Sequence, residues 1–174
     1  TTQISFYNDD SIILNGDKLH ILNYKQKGKI KEINKKVTKF CLKEDILAFT
    51  PTLSSFELYT INNSSFTKDF ASNIKMYCPC YNDKTKWALL LSSPQNTLFV
   101  IGYVISKRYE IDENVYGSIV SIAFAYENIF LATSKSIIHQ FNLSTGENKT
   151  VVFSSVSMRS ISIYKKFNKL LATL

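Results

Sequence analysis

Glycine and proline are scarce in this 174-residue chain, at five and three residues, and arginine is scarcer still, at Arg108 and Arg159 alone. The five glycines form neither G-x-x-x-x-G-K nor G-x-G-x-x-G, so no glycine-rich loop is present to cradle a phosphate. So little arginine removes the side chain best suited to bidentate gripping of phosphate or guanine. Histidine occurs twice, as His20 and His139. No serine stands in a Gly-x-Ser-x-Gly turn, so a nucleophile–base relay has little to be built on. The three cysteines are Cys41, Cys78 and Cys80. Their odd number and the tight Cys78-Pro79-Cys80 spacing exclude a disulfide framework, which points to a reducing, intracellular setting, cytoplasmic or nuclear. A closed zinc site needs four convergent ligands, and Cys78-x-Cys80 alone does not supply them. No metal and no cofactor is therefore expected. The longest apolar stretches, Trp87–Leu91 and Leu98–Ile105, are strand-sized and too short to span a bilayer. The N-terminus has no basic start followed by an apolar run, so no signal peptide is read there. Because the chain opens at Thr1 rather than Met, an upstream segment is expected.

What is present argues for strands. Hydrophobic residues make up 45% of the chain and aromatics 13%, a globular composition. Ile, Tyr and Phe are abundant, and such side chains suit a pleated, half-buried surface. The formal net charge is +7, nearly all of it from lysine. A basic balance favours acidic partners. The lysines are spread along the chain apart from a cluster around Lys25–Lys43, most of which reads as solvated surface.

An apolar landmark recurs as Ile13-Leu14, Leu47-Ala48, Leu89-Leu90, Leu131-Ala132 and Leu171-Ala172, at intervals of 34, 42, 42 and 40 residues. Intervals of this size match units of four short strands. Before each of the last four landmarks lies an alternating strand: Val37–Leu42, Ile74–Cys78, Val120–Phe124 and Ser160–Tyr164. Alternation puts every second side chain on one face of a sheet. After the landmark come a polar turn and a third strand (Leu19–Tyr24, Phe56–Ile61, Leu98–Val104, Ile137–Leu143). A more polar fourth strand follows (Lys29–Ile33, Thr67–Phe70, Arg108–Ile111, Thr150–Phe153). The units run over 4–33, 37–70, 74–111 and 119–153, with a partial one over 159–174. No segment has sustained helical periodicity.

The segment Ser118–Glu147 resembles a degenerate WD40 repeat. Phe141-Asn142 stands where such repeats carry Trp-Asp, followed by Leu143 and the turn Ser144-Thr145-Gly146-Glu147. Tyr59-Thr60 and Leu22-Asn23 occupy the same place in earlier units. The chain departs from the family in having no Trp-Asp pair and no Gly-His start. The resemblance implies an all-β fold, a WD40-like β-propeller or propeller segment. It would comprise four complete four-stranded antiparallel blades plus a partial fifth, within a longer chain or completed by a partner.

Such a fold suits a non-enzymatic scaffold or adaptor in an intracellular multiprotein complex, contacting its partners through loops at Thr50–Ser55, Ser92–Thr97 and Thr133–Ser136. Thr52, Ser55, Asn96 and Lys135 are the candidate contacts there. The basic stretch offers Lys27, Lys29, Lys31, Lys35, Lys36 and Lys39. These lysines suit a nucleic-acid-associated subunit of a ribonucleoprotein or chromatin assembly, the alternative reading. They also suit an outer strand whose charges discourage edge pairing. No catalytic residue is expected. His20 and His139 fall at nearly equivalent third-strand positions and read as structural, the cysteines as buried packing residues, and Trp87 as core.

Overall fold

The structure is a computed structural model that describes residues 3–8, 11–15, 18–23, 25, 28–34, 37, 39–44, 46–60, 65–92, 96–102, 106–164 and 169–173. Among these residues it is all-β apart from one helical turn. Every sheet is a meander in which consecutive strands pair antiparallel. The first sheet comprises β1 (Gln3–Asn8), β2 (Ser11–Asn15), β3 (Leu19–Asn23) and β4 (Gly28–Ile33). The second comprises β5 (Lys39–Lys43), β6 (Ile46–Thr50), β7 (Ser55–Thr60) and β8 (Ser65–Asp69). The third comprises β9 (Ile74–Pro79), β10 (Trp87–Leu91), β11 (Asn96–Ile101) and β12 (Ser106–Ile111). After the short helix α1 (Glu113–Tyr116) come β13 (Ile119–Ala125), β14 (Asn128–Thr133), β15 (Ile137–Asn142) and β16 (Asn148–Phe153). A final hairpin pairs β17 (Ser160–Tyr164) with β18 (Lys169–Thr173).

Two compact units contain these sheets, Thr1–Ile74 and Lys75–Leu174. In the first, Ile13, Leu19, Ile21, Phe40, Leu47 and Phe49 close on one another as the core. In the second, one cluster joins Ala88, Leu90, Leu98, Ile122, Phe124 and Leu131. Another joins Ala123, Ala132, Ile138, Met158 and Ile161 beneath the last hairpin.

The apolar landmark has a direct cause. In the second and third sheets it is the second strand, flanked by strands on both edges and covered on both faces. All five residues of β6 and of β10 are buried. A strand covered on both faces needs apolar side chains at odd and even positions alike, so it reads as a run instead of an alternation. In β18 the same landmark behaves differently. Leu171 is 48% exposed where its counterpart Leu131 is 1% exposed, because no third strand lies beside β18 among the described residues.

Within the second unit, adjacent sheets are tied at their inner strands. Cys80 forms a parallel bridge with Phe124, and the Tyr81 N–H donates to the Phe124 carbonyl at 2.7 Å. The Asn82 side-chain oxygen, Oδ1, accepts the Tyr126 N–H and the Cys80 thiol. Lys86 lies 3.2 Å from Glu127 and 3.6 Å from Asp83. This knot holds Tyr126 at φ 55°, an uncommon value for a bulky residue.

Candidate functional site

Two loops between second and third strands, 51–54 and 134–136, are held by neighbouring connections, so their exposed residues sit on a supported backbone. In the first unit, Thr52 Oγ1 accepts the Ser55 N–H at 3.1 Å. The Leu53 and Ser54 carbonyls accept the N–H groups of Ile74 and Phe70 at 2.6 and 2.9 Å. These bonds present Leu53 and Thr52 to solvent. In the second unit, the Ser134 N–H donates to Ser118 and the Ser154 N–H to Ser136, at 2.8 and 2.9 Å. Lys135 Nζ reaches the carbonyls of Asn114 and Val115 at 3.1 and 3.5 Å. An ammonium there neutralises the negative end of α1.

The other end of that turn is capped by Asp112, which accepts the Asn114 N–H at 2.8 Å. The helix stops at Gly117, where φ is +79°. A Cβ at Gly117 would lie 3.0 Å from the Lys135 Cγ, so the connection and the turn meet only because this residue is glycine. Val115 is exposed on the surface so formed, where Lys135 meets the last carbonyls of the turn and Glu113 pairs with Lys75 at 3.4 Å.

Beneath this surface lies His139. Its ring meets the Tyr116 ring edge-on at a centroid distance of 4.9 Å, and its Nδ1 is 3.4 Å from Thr150 Oγ1. Its Nε2 is buried without a hydrogen-bond partner among the described residues. Burial, with a smaller effect from Lys135, holds the imidazole below its usual pKa, so it stays neutral in the fold. Strand register places His139 opposite Leu131, where the other sheets set Ile21, Tyr59 and Phe99 opposite their own landmarks. His20, opposite Leu14, is one step out of that register and pairs with Glu32 at 3.5 Å.

A pH dependence follows from this burial. An unfolded histidine takes up its proton near pH ~6.5. As the pH falls through that value the unfolded chain is protonated and the folded chain is not, so stability declines until the lower folded pKa is reached. His139→Phe is expected to remove that part of the acid sensitivity and to raise stability by about 1 kcal/mol, because it eliminates a buried unsatisfied nitrogen. Urea midpoints at pH 7.5 and 5.5 test this; equal losses in variant and parent would refute it.

The candidate contacts inferred from sequence separate into groups. Lys27, Lys35 and Lys36 lie outside the described residues. Lys29 and Lys31 belong to β4, and Asn96 opens β11, but their side chains lie outside the description. Lys39 is exposed at the start of β5, and Thr52 is exposed in its loop. Ser55, by contrast, is buried at the start of β7 and offers no side chain to a partner. Lys135 is exposed, with its ammonium directed at α1. Leu53 and Val115 were not singled out, since an apolar residue in a loop carries no periodic signal.

The remaining sequence candidates are packing groups. Trp87 is fully buried, and its indole N–H donates to the Lys84 carbonyl at 3.1 Å. All three cysteines are free thiols. Burial pushes the Cys41 thiol up to about 11 and raises Cys80 as well, which keeps both protonated and unreactive at neutral pH. Among the described residues no group of three or more His, Cys, Asp or Glu converges as a metal site. No helix among them is long and apolar enough to cross a membrane.

The Phe141-Asn142 pair closes β15 as the WD40 resemblance implies. Phe141 packs edge-on against Tyr109 at 4.8 Å. Asn142 Oδ1 accepts the N–H groups of Ser144 and Thr145, both at 2.9 Å, and its amide donates to Asn128 at 3.2 Å. An asparagine thus supports the turn through the oxygen that an aspartate would use.

No family model matches the sequence, and no curated protein matches it. Among solved structures it is similar to the β-propeller domain of Cps50 (Swd1) from Myceliophteria thermophila, with a TM-score of 0.74 at 12% identity. The match covers 99% of this chain and 63% of that domain, so the chain spans less than two thirds of the propeller it resembles. At this identity the likeness shows the fold: four complete four-stranded antiparallel blades and a partial fifth, built as in a β-propeller.

Proposed function

We propose that this chain is a non-enzymatic protein-binding scaffold, a subunit of an intracellular multiprotein complex. Its blades are degenerate WD40 repeats and part of a larger propeller. The observation that carries the reading is the pinning of exposed apolar residues on braced loops, Leu53 in one unit and Val115 in the other. An apolar side chain on a backbone already held in place loses less conformational freedom on binding than one on a loose loop, which suits a docking anchor. Free, protonated thiols and a buried neutral histidine fit a chain whose chemistry-bearing residues serve packing.

Leu53→Asp and Val115→Asp, each compared with the parent in a tagged capture from native extract, test the proposal. Captured proteins are expected to persist after nuclease treatment and to fall at least tenfold with one or both variants. Complete loss on nuclease treatment would instead favour the nucleic-acid-associated reading and move attention to Lys29, Lys31 and Lys39. Retention in both variants would place the contact elsewhere.

A further inference from the structure

The four complete sheets end in outer strands β4, β8, β12 and β16, each paired on one side only among the described residues. Three of them carry two or more charges, spread along β4 and β12 and gathered at the end of β8. β4 carries Lys29, Lys31 and Glu32; β8 carries Lys68 and Asp69; β12 carries Lys107, Arg108 and Glu110. Charges of this kind discourage another strand from adding to an edge. β16 departs from the pattern. Its one charge is Lys149, followed by Thr150-Val151-Val152-Phe153. Val151 and Val152 are 38% and 41% exposed, and Val156 just beyond is 52% exposed. Three exposed valines thus fall within six residues of sequence, a local density of exposed apolar side chains that isolated ones do not make. A bulge at Val151 interrupts the register between Thr150 and Val152. β4 has the same irregularity between Lys29 and Lys31 and keeps its charges too, so the bulge alone is not what protects such an edge.

We propose that β16 is a docking edge for an extended segment of another protein, β-branched at its centre and acidic at the flank facing Lys149. The edge offers main-chain donors and acceptors in a row, which an incoming strand satisfies while its side chains cover the valines. A second copy of this chain fits less well. An edge of six residues falls far short of the roughly 1,200 Å² that a stable dimer buries, and each copy carries +7. An acidic segment brings the opposite sign and gains affinity from backbone hydrogen bonds rather than from area. The site involves neither Leu53 nor Val115 and stands independently of the loop surfaces.

The test is a titration of the isotope-labelled full chain with a capped hexapeptide of alternating valine and threonine flanked by glutamates. Amide shifts are expected over Asn148–Phe153. N-methylation of the peptide's pairing edge should weaken binding at least tenfold, and so should Val152→Lys, in a variant whose β13–β15 amides are unchanged. Absence of shifts at β16 with millimolar peptide would overturn the proposal, as would equal binding of the methylated peptide. Concentration-dependent β16 shifts without peptide, with a dimer in sedimentation, would overturn the choice of partner.

Discussion

Alanine at Trp87 is expected to cost about 3–5 kcal/mol, the range for deleting a large aromatic from a packed core. Against a typical domain stability of about 5–15 kcal/mol, that leaves a marginal fold. Trp87 opens β10, a strand buried at every position, and has no measurable exposure. Its indole also satisfies the Lys84 carbonyl. Truncation therefore removes packing and a hydrogen bond together. Trp87→Phe keeps most of the apolar volume and should cost less, about 1–2 kcal/mol, from the lost indole hydrogen bond and the residual gap. Urea unfolding followed by circular dichroism measures both. Since Trp87 is the sole tryptophan, its fluorescence in the parent reports the second unit alone. A loss below 1 kcal/mol for the alanine variant would contradict the burial described here.

The second large effect is a contrast within one repeat. Leu131→Ala should destabilise by about 2–5 kcal/mol, since Leu131 is fully enclosed between β13 and β15 and any space left behind stays empty. Leu171→Ala, at the corresponding landmark, should change stability by less than about 0.5 kcal/mol, the range for exposed positions. Equal losses at the two sites, measured in parallel urea melts, would show that β18 is covered in solution. The contrast isolates what the third strand contributes, because the local sequence is nearly the same.

The blades were legible in the sequence because the physics that forms them is local. A second strand buried on both faces must be apolar throughout, so Leu47-Ala48, Leu89-Leu90 and Leu131-Ala132 stand out, and the turns around them follow within a few residues. The turn at Ser144–Glu147 could be read through Asn142, whose side chain acts only two and three residues ahead. Features that depend on distant neighbours were not legible. The four residues of α1 are too few for a helical period, although Asp112 before them and Gly117 after them are the usual start and stop signals. Ser55 looks like a surface residue by type and is buried because β7 begins there. Lys135 acts on carbonyls 20 and 21 positions earlier. Leu171 carries the same landmark as Leu131 and is exposed where no third strand pairs with β18 among the described residues.

The knot around Asn82 bears on how the chain reaches this structure. Each sheet is one unbroken stretch of sequence, and its strands pair with their immediate successors. Ordering one hairpin therefore closes only short loops, whose entropic cost is small. Asn82, with Tyr126 and the Lys86–Glu127 pair, helps link the third sheet to the fourth within the second unit. It joins residues 44 positions apart. Where repeats pack on one another, stability is a sum of intrinsic repeat terms and nearest-neighbour couplings. Within the second unit, the Asn82 amide is one of the couplings through which an ordered third sheet favours the fourth.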